Sequence, residues 1–165
     1  MSKAFTRESD DLPAIPLRTT IQPALPPGAR NYLTEEGAER LQEELVELST
    51  VERPRLAARA DATTLLRQAD ERIRYLQESL QGAEIIHPED VPSDRVRFGK
   101  TVLVRTGDGR ETEYRIVGVA ESDVERGRIS WISPLAKALL QARPGERVRC
   151  ELPAGEEEFE IVAIR

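Results

Sequence analysis

The sequence has very little of several residue types on which common protein classes depend. Its 165 residues include one cysteine, one histidine and one tryptophan, and aromatic residues amount to 4%. A single cysteine excludes an intramolecular disulfide and fits a reducing compartment. The shortage of aromatics argues against a large core, because aromatic side chains supply much of the buried area in big cores. No apolar run is long enough to cross a membrane.

Positive charge is also in deficit. The formal net charge is -6, although charged residues make up 33% of the chain. A general nucleic-acid binder usually shows the opposite balance. The first residues, MSKAFTRESDD, lack the apolar segment of a secretory signal. The sequence therefore predicts a cytoplasmic protein with no membrane partner.

Residues that carry chemistry are few and isolated. His87 precedes Pro88 without a companion motif, and Cys150 alternates with Val148 and Leu152 as a buried strand residue would. The sequence has no Cys/His cluster with metal-ligand spacing, no glycine-rich phosphate loop and no nucleophile elbow. We expect no catalytic residue, no metal, no cofactor and no small-molecule substrate. We expect instead that the protein acts by binding a larger partner.

Residues 1–31 differ in composition from the rest of the chain. They hold five prolines and show neither a helical nor a strand period. This composition predicts an extended, disordered tail. A short docking motif around residues 12–17 is the alternative.

Residues 32–82 show the pattern of an antiparallel coiled-coil hairpin. Thr34 is a suitable N-cap, and two glutamates follow it in the first turn, where the helix dipole favours negative charge. Apolar residues then recur at alternating spacings of three and four on two arms, which is coiled-coil spacing. They are Leu41, Leu45 and Leu48 on the first arm, and Leu66, Ala69, Ile73, Leu76 and Leu80 on the second. Gly82 is suited to cap the end of the second arm.

The apolar residues of the two arms fit a single antiparallel register. Facing residues of an antiparallel pair keep a constant sum of residue numbers, and this places the turn at Ala60 and Asp61. Pro54 lies inside the first arm, where it removes a backbone hydrogen bond and should bend the helix. The predicted pairs are Leu41 with Leu80, Leu45 with Leu76, Leu48 with Ile73, and Leu56 with Leu65.

Residues 83–94 read as a linker, and residues 95–165 as a β-rich domain. Short alternating runs predict strands at 101–105, 111–117, 128–132, 147–152 and 157–164. A Ser133-Pro134 start predicts one short helix between the strands. The expected fold class is α+β, with a helical hairpin followed by an antiparallel sheet wrapped on one helix.

The hairpin tip, residues 53–74, is the most basic stretch of an acidic chain. Six arginines there face three acidic residues, which suggests insertion toward a negatively charged place. Ordinary surface arginines are the alternative. Asp61 has two interpretations, as the N-cap of the second helix or as a metal ligand. The candidate tip residues are Arg55, Arg59, Asp61 and Arg67.

Several motifs in order resemble the bacterial GreA/GreB transcription elongation factors. They are NYLTEEGAERLQEELVEL, VERPRL, ERIRYLQESLQGAEII, VRFGKTVLVRTGDGRETEYRIVG, ISWISPLAKALL and PGERVRCELPAGEEEFEIVAI, and together they span residues 32–165. The resemblance implies a coiled-coil hairpin and an FKBP-like domain. It also implies docking on core RNA polymerase at the rim of the secondary channel, with the hairpin pointing inward toward the nucleic acid of the elongation complex.

Two departures from the family pattern bear on function. The acidic GD-x-x-ENA-x-Y segment of cleavage-stimulating factors is absent, and the hairpin is shorter by about 12 Å of reach, as in the Rnk-like relatives. The resemblance thus implies a regulator that does not stimulate transcript cleavage. The alternatives are a cleavage factor that uses Asp61 with Asp70 or Glu71, and a prolyl isomerase suggested by fold alone.

The second departure is Ile132, which stands where the family usually has Asn or Asp before Ser-Pro. That position is linked to docking on the polymerase rim. We expect an exposed apolar pair beside a helix start to bind the partner. The candidate partner-binding residues are Ile132, Ser133, Pro134 and Leu135.

Overall fold

The computed structural model describes residues 24–87 and 94–165. Most of the predicted tail, residues 1–23, and part of the predicted linker, residues 88–93, lie outside the described residues, so these two predictions stay predictions there. Residues 24–31 have no helix or strand and lead directly into the first short strand.

The first arm of the hairpin is helical from Glu35 to Ala57. Strand β1 (Tyr32–Thr34) precedes helix α1 (Glu35–Glu47), a π-helical turn (Leu48–Glu52) follows, and helix α2 (Arg53–Ala57) ends the arm. The Thr34 hydroxyl accepts a hydrogen bond from the Gly37 amide at 3.0 Å, which confirms the predicted N-cap.

The π-helical turn lies directly before Pro54. Proline has no N–H, and its ring collides with a carbonyl four residues earlier in a regular helix. The Arg53 amide instead donates to the Leu48 carbonyl, five residues back. The arm therefore passes Pro54 as predicted, but it does so by a local widening of the helix.

Helix α3 (Thr63–Leu80) forms the second arm. It ends before Gly82, whose φ of 75° lies in the left-handed region that suits a residue just beyond a helix end. Strand β2 (Glu84–Ile86) follows and pairs in parallel with β1, Leu33 opposite Ile85. This small sheet joins the two ends of the hairpin, and it shows that the predicted linker is not wholly irregular.

Two apolar clusters fill the hairpin. Near its base, the predicted residues pack together; they are Leu41, Leu45, Leu48, Ile73, Leu76 and Leu80, with Leu33. Near the turn, Leu56 packs with Leu66 and Ala69. Leu65 is 40% exposed, so its predicted pairing with Leu56 is wrong. The π-helical turn accommodates an extra residue, and this shifts the register beyond it.

The β domain, residues 94–165, is a five-stranded sheet in the order β5-β4-β3-β7-β6. Its strands are β3 (Thr101–Thr106), β4 (Glu111–Val117), β5 (Arg128–Ser130), β6 (Arg147–Leu152) and β7 (Gly155–Ile164). The pairings β3–β4, β3–β7 and β6–β7 are antiparallel, as predicted. The pairing β4–β5 is parallel, which the sequence analysis did not predict.

Helix α4 (Pro134–Leu139) packs against the sheet. The core beneath it is made of Val96, Val102, Val104, Ile116, Ile129, Leu135, Ala136, Leu139, Ala142, Cys150, Phe159 and Ile161. The fold is α+β, with a helical hairpin followed by a small curled sheet. Among the described residues, every helix is too short or too polar to span a bilayer.

Candidate functional site

The hairpin turns between α2 and α3, at residues 58–62, and it presents polar groups at its end. Arg59 donates to both carboxylate oxygens of Asp61, at 3.2 Å from Nε and 3.0 Å from Nη2. This hydrogen bonding lowers the pKa of Asp61. Both side chains are exposed, and they form a local ion pair within the turn.

The interpretation of Asp61 as a helix N-cap is wrong. Helix α3 starts after Ala62, and that end has no side-chain capping bond. The Asp61 carboxylate is instead bound to Arg59, two residues before it. A guanidinium that close competes with backbone amides for the carboxylate oxygens.

The arginines of the tip are largely neutralised within the hairpin. Arg53 bonds Asp70 across the two arms at 2.6 Å, and Arg72 forms a bidentate pair with Glu44 at 2.7 and 2.8 Å. Asp70 is already among the three acidic residues counted in the tip, so the Arg72–Glu44 pair is the one that offsets positive charge beyond that count. The basic surface of the tip therefore consists of the few arginines that have no close acidic partner in the described part of the chain.

The three remaining tip arginines differ in how closely an acidic side chain approaches them. Arg55 lies 3.9 Å from the buried Glu52, a weak contact at the limit for an ion pair. Arg67 and Arg74 are exposed on α3, and within the described residues neither has an ion-pair or hydrogen-bond partner. These two are the cations most available to an external anion.

The carboxylates of the tip do not form a metal site. Asp61 and Asp70 are each bound to an arginine, and they belong to different pairs. Within residues 24–87 and 94–165, no group of three or more His, Cys, Asp or Glu side chains is arranged to hold a metal ion. The residues present therefore do not fit the carboxylate set that a divalent cation prefers.

The predicted docking residues surround the start of α4. The Ser133 hydroxyl accepts a hydrogen bond from the Ala136 amide at 3.2 Å, so it caps the helix as predicted. Pro134 is exposed, and Ile132 is half-buried. Leu135 is only 8% exposed and belongs to the core, so the expectation of an exposed Leu135 is wrong. Its neighbours Ile132 and Pro134 form the accessible apolar surface.

Aromatic residues meet where the hairpin joins the β domain. The ring of Tyr32 lies 5.7 Å from that of Phe98 and 5.3 Å from that of Trp131. Trp131 packs against the core, as expected for a strand-end tryptophan, and its buried Nε1 has no acceptor within residues 24–87 and 94–165. These tilted ring contacts join the first strand of the hairpin to the β domain.

Cys150 and His87, the two isolated reactive residues, lie in different surroundings. Cys150 is 3% exposed, as predicted, and burial raises the pKa of its thiol. His87 Nδ1 lies 3.3 Å from the Glu35 carboxylate at the start of α1, an ion pair when the ring is protonated.

Sequence reasoning missed Glu121, which is 4% exposed in a 3₁₀ turn (Val119–Glu121) of the β domain. Its carboxylate accepts hydrogen bonds from Thr34, at the start of the hairpin. Burial raises the pKa of Glu121, against the lowering effect of the Thr34 donors and of the Arg40 charge. A lone glutamate has no periodicity, but Gly37 in the first turn of a helix was an indirect signal, since glycine is unfavourable there.

Known proteins are similar along most of the chain. The family model described as "Transcription elongation factor, GreA/GreB, C-term" matches residues 91–165. Transcription elongation factor GreB of Neisseria meningitidis is 38% identical over 152 residues, which cover 82% of this chain and 93% of that protein. Transcription elongation factor GreA of Alkalilimnicola ehrlichii is 39% identical over 151 residues, which cover 81% and 96%. The solved structure of the transcription factor Gfh1 aligns with a TM-score of 0.42 at 26% identity and covers 83% of this chain and 98% of that one.

The architecture defines a two-part α+β protein, with a helical hairpin carried by a small sheet domain. The sequence relatives are matched over more than nine-tenths of their own length. The chain therefore belongs to the GreA/GreB family of transcription elongation factors.

Proposed function

We propose that this protein binds core RNA polymerase in the cytoplasm and regulates elongation without stimulating transcript cleavage. The β domain docks on the rim of the secondary channel, and the hairpin points inward. Membership of the GreA/GreB family supports the partner. The geometry of the tip supports the absence of cleavage stimulation.

The observation that carries this proposal is that arginines bind two of the three tip carboxylates, Asp61 and Asp70. Both oxygens of Asp61 accept from Arg59, and Asp70 accepts from Arg53 at 2.6 Å. A second catalytic magnesium ion would need free, hard oxygen ligands brought together at one point. Asp61 and Asp70 belong to separate pairs and each already has a cationic partner, so of the three acidic residues of the tip only the exposed Glu71 lies outside these pairs.

A shorter reach agrees with the same proposal. The alignment with the Neisseria relative runs over 152 positions but covers only 82% of this chain, so the relative has positions without a counterpart here. We place the missing positions in the hairpin, which has no acidic tip segment. A loss of about two turns per arm shortens the hairpin by about 12 Å.

The unpaired arginines give the tip a different use. Arg67 and Arg74 lie two turns apart on α3, and both are exposed. Their guanidinium groups are suited to phosphate oxygens or to an acidic channel wall. Contact with nucleic acid in the elongation complex is consistent with this surface.

Competition for the polymerase tests the proposal. We expect the protein to co-purify with core RNA polymerase and to be displaced by a cleavage-competent Gre factor, because both would occupy the secondary channel. The measurement is displacement of labelled protein from core enzyme, followed by fluorescence anisotropy. Simultaneous binding of both factors at saturation would contradict a shared site.

The docking surface is tested by two substitutions at the start of α4. Pro134→Ala and Ile132→Asp should each weaken binding to core polymerase, because these side chains form the accessible apolar surface beside the Ser133 cap. Melting temperatures should stay within a few degrees of the unmodified protein, as surface substitutions usually do. Lys137→Ala, an exposed change on the same helix, is the matched control. Unchanged affinity for both test variants would move the docking site elsewhere.

A further inference from the structure

A buried carboxylate of the β domain completes the N-terminal cap of the hairpin. Glu121 Oε1 accepts a hydrogen bond from the Thr34 amide at 2.6 Å, and its Oε2 accepts from the Thr34 hydroxyl at 2.8 Å. The same hydroxyl accepts from the Gly37 amide at 3.0 Å. A negative charge is favourable at a helix N-terminus, where amide groups have no partner within the helix. Glu121 thus binds the hairpin at the point where its first helix begins.

The contact surfaces on both sides leave no room for a side chain. A Cβ atom added to Gly37 would lie 2.1 Å from the Glu121 carboxyl carbon. A Cβ atom added to Gly118 would lie 2.1 Å from the Tyr32 carbonyl oxygen. These distances are far below van der Waals contact, so the two glycines permit an approach that any other residue would prevent. The joint is therefore closely fitted at two separate points.

Two further contacts join the hairpin to the β domain. Arg115 of β4 pairs with Glu36 in the first turn of α1, and the resulting hydrogen bond lowers the pKa of Glu36. Ala120 of the β domain packs into the apolar cluster at the hairpin base, beside the fully buried Leu33. Glu121 is itself 4% exposed, and a hydrogen bond is stronger in such a low-dielectric place than in water.

The direction of a hairpin depends on the joint at its base. The first arm has 23 residues between Glu35 and Ala57 and spans about 35 Å at 1.5 Å per residue. A rotation of about 10° at the base would displace the far end by about 6 Å over that length. Such a displacement is as large as a full helical turn and would redirect the tip within a narrow channel.

We infer that Glu121 is a positioning residue, which fixes the direction of the hairpin relative to the β domain by holding the start of α1. The Thr34 hydrogen bonds set the angle, and Gly37 and Gly118 allow the approach. The effect of Glu121 on polymerase binding rests on the proposed function, since the direction of the hairpin affects binding only when the β domain is docked. The effect of Glu121 on the shape of the protein does not rest on the proposed function.

A distance between two spin labels measures this role directly in the full chain. With Cys150 replaced by alanine, single cysteines at the exposed positions Ala58 and Glu151 place one label on the hairpin turn and one on β6. Pulsed electron paramagnetic resonance on this doubly labelled protein should give one narrow distribution of label-to-label distances. Glu121→Ala should broaden or shift it by about 6 Å, the displacement of a 10° rotation. Glu121→Gln, which keeps the shape and one acceptor oxygen, should stay close to the unmodified distribution.

Two further variants make the result decisive. Glu125→Ala removes an exposed glutamate four residues away and should leave the distance unchanged. Gly37→Ala keeps Glu121 but inserts a methyl group against it, so it should produce the same shift as Glu121→Ala, and it decides the matter if Glu121→Ala does not fold. Folded Glu121→Ala or Gly37→Ala proteins with the unmodified distance would overturn the inference.

The polymerase arm separates this inference from the proposed function. Glu121→Ala should weaken competition with a Gre factor, and Glu121→Gln should restore most of it. If the unmodified protein does not bind polymerase while the label distances respond as expected, the proposed function fails and the positioning role stands. If binding occurs while the distances do not respond, the positioning role fails and the proposed function stands.

Discussion

In a backtracked elongation complex with labelled RNA, saturating amounts of this protein should leave the release of short 3′ fragments at its factor-free rate. Stimulation would require carboxylates that add ligands to a second magnesium ion at the polymerase active centre. Asp61, the acidic residue of the hairpin turn, has both carboxylate oxygens bound to Arg59 at 3.2 and 3.0 Å. The guanidinium also repels a divalent cation at the same point.

The comparison within this assay is with a cleavage-competent Gre factor, which should accelerate fragment release in the same complexes. Asp61→Asn should change nothing, because the residue supplies no metal ligand. Arg59→Ala frees the carboxylate, but it still leaves a single acidic side chain at the turn and should also give no stimulation. Acceleration by the unmodified protein that disappears in Asp61→Asn would assign it to the cleavage-stimulating class instead.

The sequence predicts the hairpin well near its base and less well near its turn. Heptad spacing places Leu41, Leu48 and Leu76 together, because side chains three and four residues apart share one face of a helix. The register fails at Leu65, beyond the π-helical turn. Pro54 signals a disturbance of the helix, but periodicity alone does not say whether the chain bends or accommodates an extra residue.

The β domain shows which strands a sequence reveals. Strands β4 and β6 are predicted with their full bounds, and β6 shows the alternation of more and less exposed residues that is typical of a strand. Strands β1 and β2 have three residues each and pair across 52 positions of the chain, as Tyr32 does with Glu84. Three residues carry no usable period, and the pairing depends on how the hairpin brings its two ends together.

The joint at Glu121 has only the indirect signal of Gly37 in the sequence, for a related reason. One carboxylate meets one threonine 87 residues away, and neither belongs to a repeating pattern. Charged residues are usually exposed, so composition favours the wrong expectation for Glu121. Leu135 was a different error: it precedes Leu139 by four residues, and this spacing already indicated a shared buried face on α4.

Leu135→Glu should abolish the folding of the β domain. Leu135 is 8% exposed and packs in the core with Val102 and Phe159. Truncation of such a leucine to alanine typically costs about 2–5 kcal/mol, through lost apolar burial and the cavity left behind. Glutamate adds the cost of an unpaired buried charge. The sum is comparable to the entire stability of a small domain, about 5–15 kcal/mol.

The measurement is thermal unfolding, followed by circular dichroism and by the fluorescence of Trp131, the sole tryptophan of the chain. The unmodified protein should show a cooperative transition of the tryptophan signal, and Leu135→Glu should show none at any temperature. Lys137→Glu introduces the same side chain two residues away at an exposed position and should melt within a few degrees of the unmodified protein. A cooperative transition retained in Leu135→Glu would mean that α4 does not pack on the sheet through this face. In that case Leu135 would return to the docking surface beside Ile132 and Pro134.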